Sequence, residues 1–317
     1  MIREISKKET NIIKAIGILL VVIGHTSIQM TGRFEFLSIM NEMGAYGVAI
    51  FLIISGYGLT KSAQEHGINA KTFWKKRVKT VFIPYIIVTL TWIFLGALYG
   101  IKYPVNGIFL AILGFDFTRA IDGTMWYISF IVCWYIVFFI AFCGKKKSVS
   151  RILIFFAYIL ICLWLYRYGL IINLTYQWSL HVFSFPLGVI LAKNNKIIRI
   201  ISNNWITGLI GVTAITGFYY LYKVSRLFIL YKIVCVFFAI FIVMVICKAF
   251  VYLPDKISKL LNLIGKHSFE IYLIEGYLFN VYSSFSNLYI AFITYIILLI
   301  GGVFVLHNCL EKLKLIK

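Results

Sequence analysis

Residues 11–31 read NIIKAIGILLVVIGHTSIQMT, an almost uninterrupted apolar run. A helix of about 20 such residues crosses the roughly 30 Å hydrocarbon core of a bilayer. The run follows Lys7 and Lys8 as the apolar part of a signal peptide would, but no small-residue cleavage site comes after it. The sequence therefore predicts an uncleaved first membrane helix.

The rest of the chain repeats this pattern. Its 62% hydrophobic and 13% charged residues lie far outside the composition of soluble domains. The six cysteines form no C-x-x-C pair, so neither a zinc site nor a disulfide framework is indicated. We predict an all-α integral membrane protein, one polytopic domain over residues 1–317 with no extramembrane domain. About ten transmembrane helices are expected, near residues 11–31, 43–60, 79–99, 124–143, 150–167, 176–193, 204–222, 226–247, 268–283 and 287–309.

The basic residues alternate from one predicted loop to the next. With the N-terminus inside, 23 of the 31 lysines and arginines fall on the inner side and six on the outer side. Inner loops carry this excess in membrane proteins, so both termini are predicted to be cytoplasmic. The basic residues behind the net charge of +20 lie between the apolar runs and do not gather on one solvated face. This distribution argues against nucleic-acid binding and fits contact with anionic membrane lipid.

Ionisable side chains inside the bilayer cost roughly 2.5–3.5 kcal/mol each on insertion scales, so they are candidates for function. Two of them lie on the first helix, eleven residues apart, which is about three turns plus 20° and a rise of about 16 Å. Gly17, Val21 and Gly24 share or border that face. The full set is Lys14, His25, Lys232 and Glu275, with His181 nearer the outer end of its span.

Each of these residues also has a structural explanation. Lys14 could extend to the inner surface, and His25 could simply bond a neighbouring helix. Glu275 is the only acidic residue near the middle of a predicted span, so it must be protonated or find a cation. An ion pair with Lys232 would satisfy it.

Six motifs together resemble the integral membrane acyltransferase family 3. They are Lys14-x10-His25, FLIISGY at residues 51–57, KRVKTVFIPY at 76–85, MWY at 125–127, FPLG at 185–188 and GKHSFEIYL at 265–273. The family includes O-acetyltransferases of surface polysaccharides, peptidoglycan and other glycans. The resemblance covers essentially the whole chain.

The sequence departs from the family pattern at three places. Thr80 stands where a second arginine usually follows the one matched by Arg77, which leaves Lys79 as a stand-in. Glu275 stands where many members have histidine. No hydrolase-like domain follows the tenth predicted span, so the chain is expected to act alone or with a separate enzyme.

The resemblance implies an O-acyltransferase that uses cytoplasmic acyl-CoA, most simply acetyl-CoA, without a permanently bound cofactor. His25 would be a general base or a transient acyl carrier, with Lys14 and Glu275 as catalytic partners. The donor would be bound by Lys76, Arg77, Lys79, Ser55 and Tyr57. The basic cluster is equally explained by topology alone, and Ser55 and Tyr57 by helix packing around Gly56.

The acceptor is expected to be a glycan or a lipid-linked saccharide, in or at the plasma membrane of a bacterium. Candidate acceptor residues are Trp126, Asp116, Arg119 and His181, with Trp178 and Asp122 nearby. Interfacial anchoring would also explain the tryptophans. The competing functions are a transporter or exporter component for a polysaccharide or acyl group, and a structural partner of glycan export.

Overall fold

The computed structural model describes residues 5–30, 35–115, 121–144, 148–169, 172–223 and 228–315, and every regular element within them is helical. The helices are α1 (Lys7–Met30), α2 (Met43–His66), α3 (Ala70–Arg77), α4 (Ile83–Leu98), α5 (Val105–Ile112), α6 (Trp126–Phe142), α7 (Ser148–Arg167), α8 (Ile172–His181), α9 (Ser184–Lys193), α10 (Asn195–Ile201), α11 (Asn204–Lys223), α12 (Phe228–Ala249), α13 (Asp255–Lys266), α14 (Ser268–Glu275), α15 (Asn280–Ser284) and α16 (Leu288–Lys312). Short 3-10 segments cover Glu35–Met40, Phe250–Tyr252 and Tyr277–Phe279, and a π-helical segment covers Val78–Phe82.

Among the described residues, six helical segments are long and apolar enough to cross a membrane. They are Lys7–Met30, Leu37–His66, Ala70–Leu98, Ser148–Arg167, Phe228–Tyr252 and Leu288–Lys312. These coincide with the first, second, third, fifth, eighth and tenth predicted spans, and the shorter apolar helix Trp126–Phe142 coincides with the fourth. The all-α class is confirmed, while the number of ten spans and the cytoplasmic termini stay predictions.

Two of the other predicted spans are interrupted. The span predicted at 176–193 consists of α8 and α9, separated at Val182 and Phe183. Pro186 follows this break in the first turn of α9, where its missing N–H has no intrahelical acceptor to lose. The span predicted at 268–283 stops at Glu275 and continues as a 3-10 turn and a short helix.

The chain divides into two compact units. The first unit takes its described residues from Met1–Gly67 and Tyr176–Ser268, and the second from Ile68–Thr175 and Phe269–Lys317. In the first unit, α2 packs against α1, α9 and α12, and α1 also packs against α13. Its core is apolar and aromatic, with the buried ring of Tyr46 4.6 Å from that of Phe238 and tilted against it by 33°.

Glycines bring the helices of the first unit into backbone contact. A Cβ added to Gly24 of α1 would lie 2.5 Å from the backbone nitrogen of Gly44 in α2, and one added to Gly47 would overlap the carbonyl oxygen of Gly17. Side chains any larger would separate the two helices. The small residues on the predicted Lys14–His25 face therefore serve to hold α2 against α1.

The contact between α2 and α9 is built the same way, from two of the sequence motifs. A Cβ at Gly56 of FLIISGY would overlap the carbonyl oxygen of Phe185, and a Cβ at Gly188 of FPLG would overlap that of Ile53. Helix packing around Gly56, the alternative explanation of Ser55 and Tyr57, is thus present in the structure. Tyr57 is buried in the apolar core of the first unit and also lines a cavity.

We predict that Gly188→Ala destabilises the protein by about 1–3 kcal/mol, because the added methyl group meets backbone and not a flexible side chain. The matched control is Gly58→Ala, since a Cβ at the exposed Gly58 would meet nothing within 4 Å. Thermal unfolding of the two purified variants in detergent measures the difference. Equal midpoints for both variants would show that the α2–α9 contact is looser than described.

In the second unit, α6 packs against α7 and α4 against α5. Aromatic side chains dominate the first of these contacts, with the rings of Trp134 and Phe155 stacked at 5.7 Å and Tyr158 meeting Trp134 edge-on at 4.7 Å. Such pairs add about 0.5–1.5 kcal/mol each beyond the area they bury.

Candidate active site

Lys14 and His25 lie on one unbroken helix, α1, and both are half-buried. The predicted alignment on one face, three turns apart, follows from that continuity. The imidazole of His25 lies beside the α1–α2 crossing, because a Cβ added to Gly44 would be 3.8 Å from its Nε2. His25 thus lies next to a close backbone contact and keeps part of its surface exposed.

Both ends of α1 are anchored. At the start, Ser6 and Glu9 form a reciprocal cap, in which the backbone N–H of Glu9 donates to Ser6 Oγ at 3.2 Å and that of Ser6 donates to Glu9 Oε2 at 2.8 Å. At the end, Ser27 Oγ lies 2.5 Å from the carbonyl oxygen of Leu37 and 2.8 Å from Asn41 Oδ1. These bonds fix the helix two residues beyond His25.

Ser55 and Tyr57 lie further along α2, in the same unit. Ser55 is half-buried, and Tyr57 is buried with its ring 5.9 Å from Lys61 Nζ. Tyr57 also lines a cavity of about 430 Å³ in the first unit. The structure thus brings four predicted residues, Lys14, His25, Ser55 and Tyr57, onto the single helix pair α1–α2.

Lys232 and His181 complete the ionisable groups predicted for the first unit. Lys232 Nζ donates to Ser179 Oγ at 2.8 Å and lies 4.4 Å from the ring of Phe228, so the first unit itself satisfies this buried ammonium. His181 is fully buried two residues after Ser179, and Trp178 is buried beside it in sequence.

The basic cluster of the second unit begins with a capped helix. Asn69 accepts a hydrogen bond from the Thr72 backbone N–H at 3.2 Å and starts α3, so a capped helix carries Lys76 and Arg77 ahead of the predicted third span. Arg77 Nη1 donates to the Phe73 carbonyl at 3.1 Å, and its guanidinium stacks 3.8 Å from the Phe73 ring. Lys76 is exposed, whereas Arg77 and Lys79 are half-buried.

The π-helical segment Val78–Phe82 continues α3 into α4 and contains Lys79. Pro84 follows it, and a proline ring within a helix clashes with the carbonyl four residues earlier, here that of Thr80. A wider turn at this point relieves that clash without ending the helix. Such π turns occur often at functional sites.

Glu275 is fully buried in the second unit at the last residue of α14. Tyr295 Oη donates to its Oε2 over a long distance of 3.5 Å. A second carboxylate, that of Asp122, lies next to the helix break, because a Cβ added to Gly276 would be 2.7 and 2.8 Å from its two oxygens. The helix break after Glu275, where Gly276 has no side chain, therefore leaves space for the buried carboxylate of Asp122.

Asp122 is itself held in place. Its Oδ1 accepts hydrogen bonds from the backbone N–H and the hydroxyl of Thr124, at 2.8 and 2.7 Å. Tyr272 Oη donates to the Thr124 carbonyl at 2.5 Å. Trp126 begins α6 two residues later and is half-buried. Asp116 and Arg119, predicted to bind the acceptor, lie outside the described residues.

Sequence reasoning missed one ionisable pair in the second unit. His307 Nδ1 lies 3.0 Å from Glu270 Oε1, and Glu270 is nearly buried. Glu270 belongs to the motif GKHSFEIYL at residues 265–273, and His307 belongs to none of the six motifs. The two residues lie on α14 and α16, and no local spacing signals a pair between helices.

The predicted residues are divided between the units. The first unit contains Lys14, His25, Ser55, Tyr57 and His181, and the second contains Lys76, Arg77, Lys79, Trp126 and Glu275. The division has no counterpart in the sequence, because each unit is assembled from two separate stretches of chain.

Comparison with known proteins gives one match. The family model described as an acyltransferase domain matches residues 8–307, nearly the whole chain. No curated protein and no solved structure matches significantly. Together with the apolar helices, the match identifies a multi-pass membrane protein. The chain belongs to acyltransferase family 3, a family of integral membrane acyltransferases.

Proposed function

We propose that this protein moves an acyl group, most simply acetyl, from cytoplasmic acyl-CoA to a hydroxyl of a cell-surface or lipid-linked glycan, with His25 at the reaction centre. The observation that carries the proposal is the position of His25. Its imidazole is half-buried, lies beside a glycine crossing that fixes α1 on α2, and shares a helix face with Lys14.

Neutral imidazole is suited to this reaction because it accepts a proton near neutral pH. As a base, His25 takes the proton of the acceptor hydroxyl while that oxygen attacks the thioester carbonyl. The carbon–sulfur bond breaks, and the CoA thiolate leaves and takes the proton back from the imidazolium. As a carrier, the imidazole itself attacks the thioester and then passes the acyl group to the hydroxyl. Both routes yield an ester and CoA.

Lys14 lies about 16 Å from His25 along α1, toward the predicted cytoplasmic side. An ammonium there can donate to a carbonyl or phosphate oxygen of the donor. Ser55 and Tyr57 on the adjacent α2 supply hydroxyl groups for the thioester end. These roles of Lys14, Ser55 and Tyr57 belong to the same proposal and are tested by the same measurement of acyl transfer.

The second unit carries groups suited to sugar hydroxyls. Asp122 and Glu275 are buried carboxylates, and carboxylates accept hydrogen bonds from hydroxyl groups. Trp126 offers a half-buried aromatic surface close to Asp122 in the chain. We propose that Trp126, Asp122 and Glu275 contribute to acceptor recognition, and that Lys76, Arg77 and Lys79 are an alternative place for donor phosphates.

A transport function is the competing proposal, and the interrupted helices at Val182–Phe183 and after Glu275 favour it. Mass spectrometry of surface glycan from cells with and without the gene separates the two. An acyltransferase leaves the polymer present and lacking an ester, whereas an exporter component removes the polymer. Purified protein should also release CoA from acetyl-CoA over many turnovers only when a glycan acceptor is added, while the carrier route allows at most one equivalent of CoA without acceptor.

A further inference from the structure

The cavity of about 430 Å³ lies wholly within the first unit, at the ends of α2, α9 and α12 that the charge pattern places inside the cell. Its lining comes from five helices and the start of the chain. The lining residues are Ile5, Glu9, Ile53, Ile54, Tyr57, Leu191, Asn195, Ile198, Arg199, Ser202, Val243, Met244, Cys247 and Lys248. Only Tyr57 among them was a predicted site residue.

The lining has two chemical parts. Most of the wall is aliphatic, including Ile53 and Ile54 from α2 and Val243 and Met244 from α12. Hydroxyl and amide groups interrupt this aliphatic wall, and the hydroxyl of Tyr57 is one of them. A wall of this kind accepts a slender ligand that is partly apolar and carries a few hydrogen-bonding groups.

The charges of the lining gather at the cytoplasmic end of the predicted helices. Arg199 is exposed, and Lys248 is half-buried with Nζ donating to Asn204 Oδ1 at 3.0 Å and Thr207 Oγ1 at 2.7 Å. Among the described residues, Glu9 is the one carboxylate of the lining, and part of its bonding capacity goes to the cap with Ser6. The cations thus outnumber the carboxylate, which favours an anionic end group on the ligand.

We infer that this cavity binds the pantetheine arm of the acyl-CoA donor, with Arg199 and Lys248 contacting its phosphates. The inference rests on the proposed function. The arm combines methyl and methylene groups with two amides, which match the aliphatic wall and the hydroxyl and carboxylate acceptors. The phosphates remain at the exposed Arg199, where water and cations both solvate them.

The cavity also has a defined relation to His25. Both lie along α2, since Ile53 and Tyr57 line the cavity and Gly44 lies beside the imidazole. Ile53 follows Gly44 by nine residues, a rise of about 14 Å. The thioester end of the donor must therefore extend that distance along α2, away from the phosphates and toward His25.

Cys247 provides a direct test, because it lines the cavity, is half-buried and forms no disulfide bond. In a variant that keeps only this cysteine, acetyl-CoA at ten times its dissociation constant should slow labelling by N-ethylmaleimide by about tenfold, in proportion to occupancy. The matched control keeps only Cys309, a free and half-buried cysteine of the second unit. Its labelling rate should not change. The experiment needs no acceptor and no turnover.

The cations are tested with the same readout. Arg199→Gln and Lys248→Gln should each raise the acetyl-CoA concentration needed for half-protection by roughly tenfold, as loss of a charge-assisted contact does. Lys196→Gln and Lys256→Gln are controls, since both lysines are exposed and neither lines the cavity. The Arg77→Gln/Lys79→Gln double variant tests the alternative phosphate site.

The outcomes separate this inference from the proposed function. Protection of Cys247 without acyl transfer supports the cavity and overturns the function. Acyl transfer without protection, or an effect of the Arg77 and Lys79 changes in place of the Arg199 and Lys248 changes, overturns the cavity and leaves the function. Protection by phosphatidylglycerol but not by acetyl-CoA also overturns the inference and identifies a lipid site.

Discussion

Replacing His25 by alanine is expected to lower acyl transfer by roughly 10²- to 10⁴-fold, the usual contribution of a general base. The protein should still fold, because glycine backbone makes the closest contact between α1 and α2 beside His25. Removing a polar side chain from a membrane helix also lowers its insertion cost. The rate of ester formation in membranes, normalised to protein level, measures the effect.

The matched control is His66→Ala, since His66 lies at the exposed end of α2 with a side chain that is 75% accessible. Its transfer rate should stay near normal. The carrier mechanism predicts in addition an acyl group on His25 when acetyl-CoA is supplied without acceptor, detectable by rapid quenching and mass spectrometry. A His25→Ala protein present at normal level and transferring at near normal rate would return this histidine to a packing role.

Replacing Lys14 by methionine should reduce transfer by about 10- to 100-fold, because a charge-assisted hydrogen bond to the donor is worth about 1.5–3 kcal/mol. Methionine keeps much of the length of the side chain and removes only its charge. Lys14→Arg should retain most of the activity if charge is what matters. Initial rates at varied acetyl-CoA concentration measure both variants.

Lys7→Met is the control for Lys14. It lies seven residues earlier, about two turns of helix and nearly the same face, but is exposed at the start of α1. If Lys14 merely extends to the inner surface, both methionine variants should behave alike. Equal and small effects would therefore contradict a donor role for Lys14.

The sequence predicted what depends on short-range pattern. Apolar runs of membrane-spanning length gave the all-α class, and helical periodicity gave the common face of Lys14 and His25. The same periodicity marked the stripe of small residues but not its use. That Gly24 meets Gly44 depends on how two helices cross, which no spacing within one helix encodes.

The features that were missed are long-range. The cavity unites α2, α10 and α12 with the start of the chain, and its cations Arg199 and Lys248 had been counted only as topology signals. The third span was predicted from residue 79, where the apolar run begins, yet the helix capped by Asn69 already begins at Ala70. Hydropathy measures only how apolar a segment is, so it does not detect a polar helix that continues an apolar one.

The π-helical segment Val78–Phe82 bears on how relatives of this protein should be aligned. A π turn takes up about one residue more than an α turn, so the gain or loss of a single residue here can be absorbed by a change of winding. Residues on the two sides, such as Arg77 and Pro84, would then keep their directions relative to each other. An alignment of relatives should therefore permit a one-residue gap within Val78–Phe82, so that the basic residues before it and Pro84 after it both stay matched.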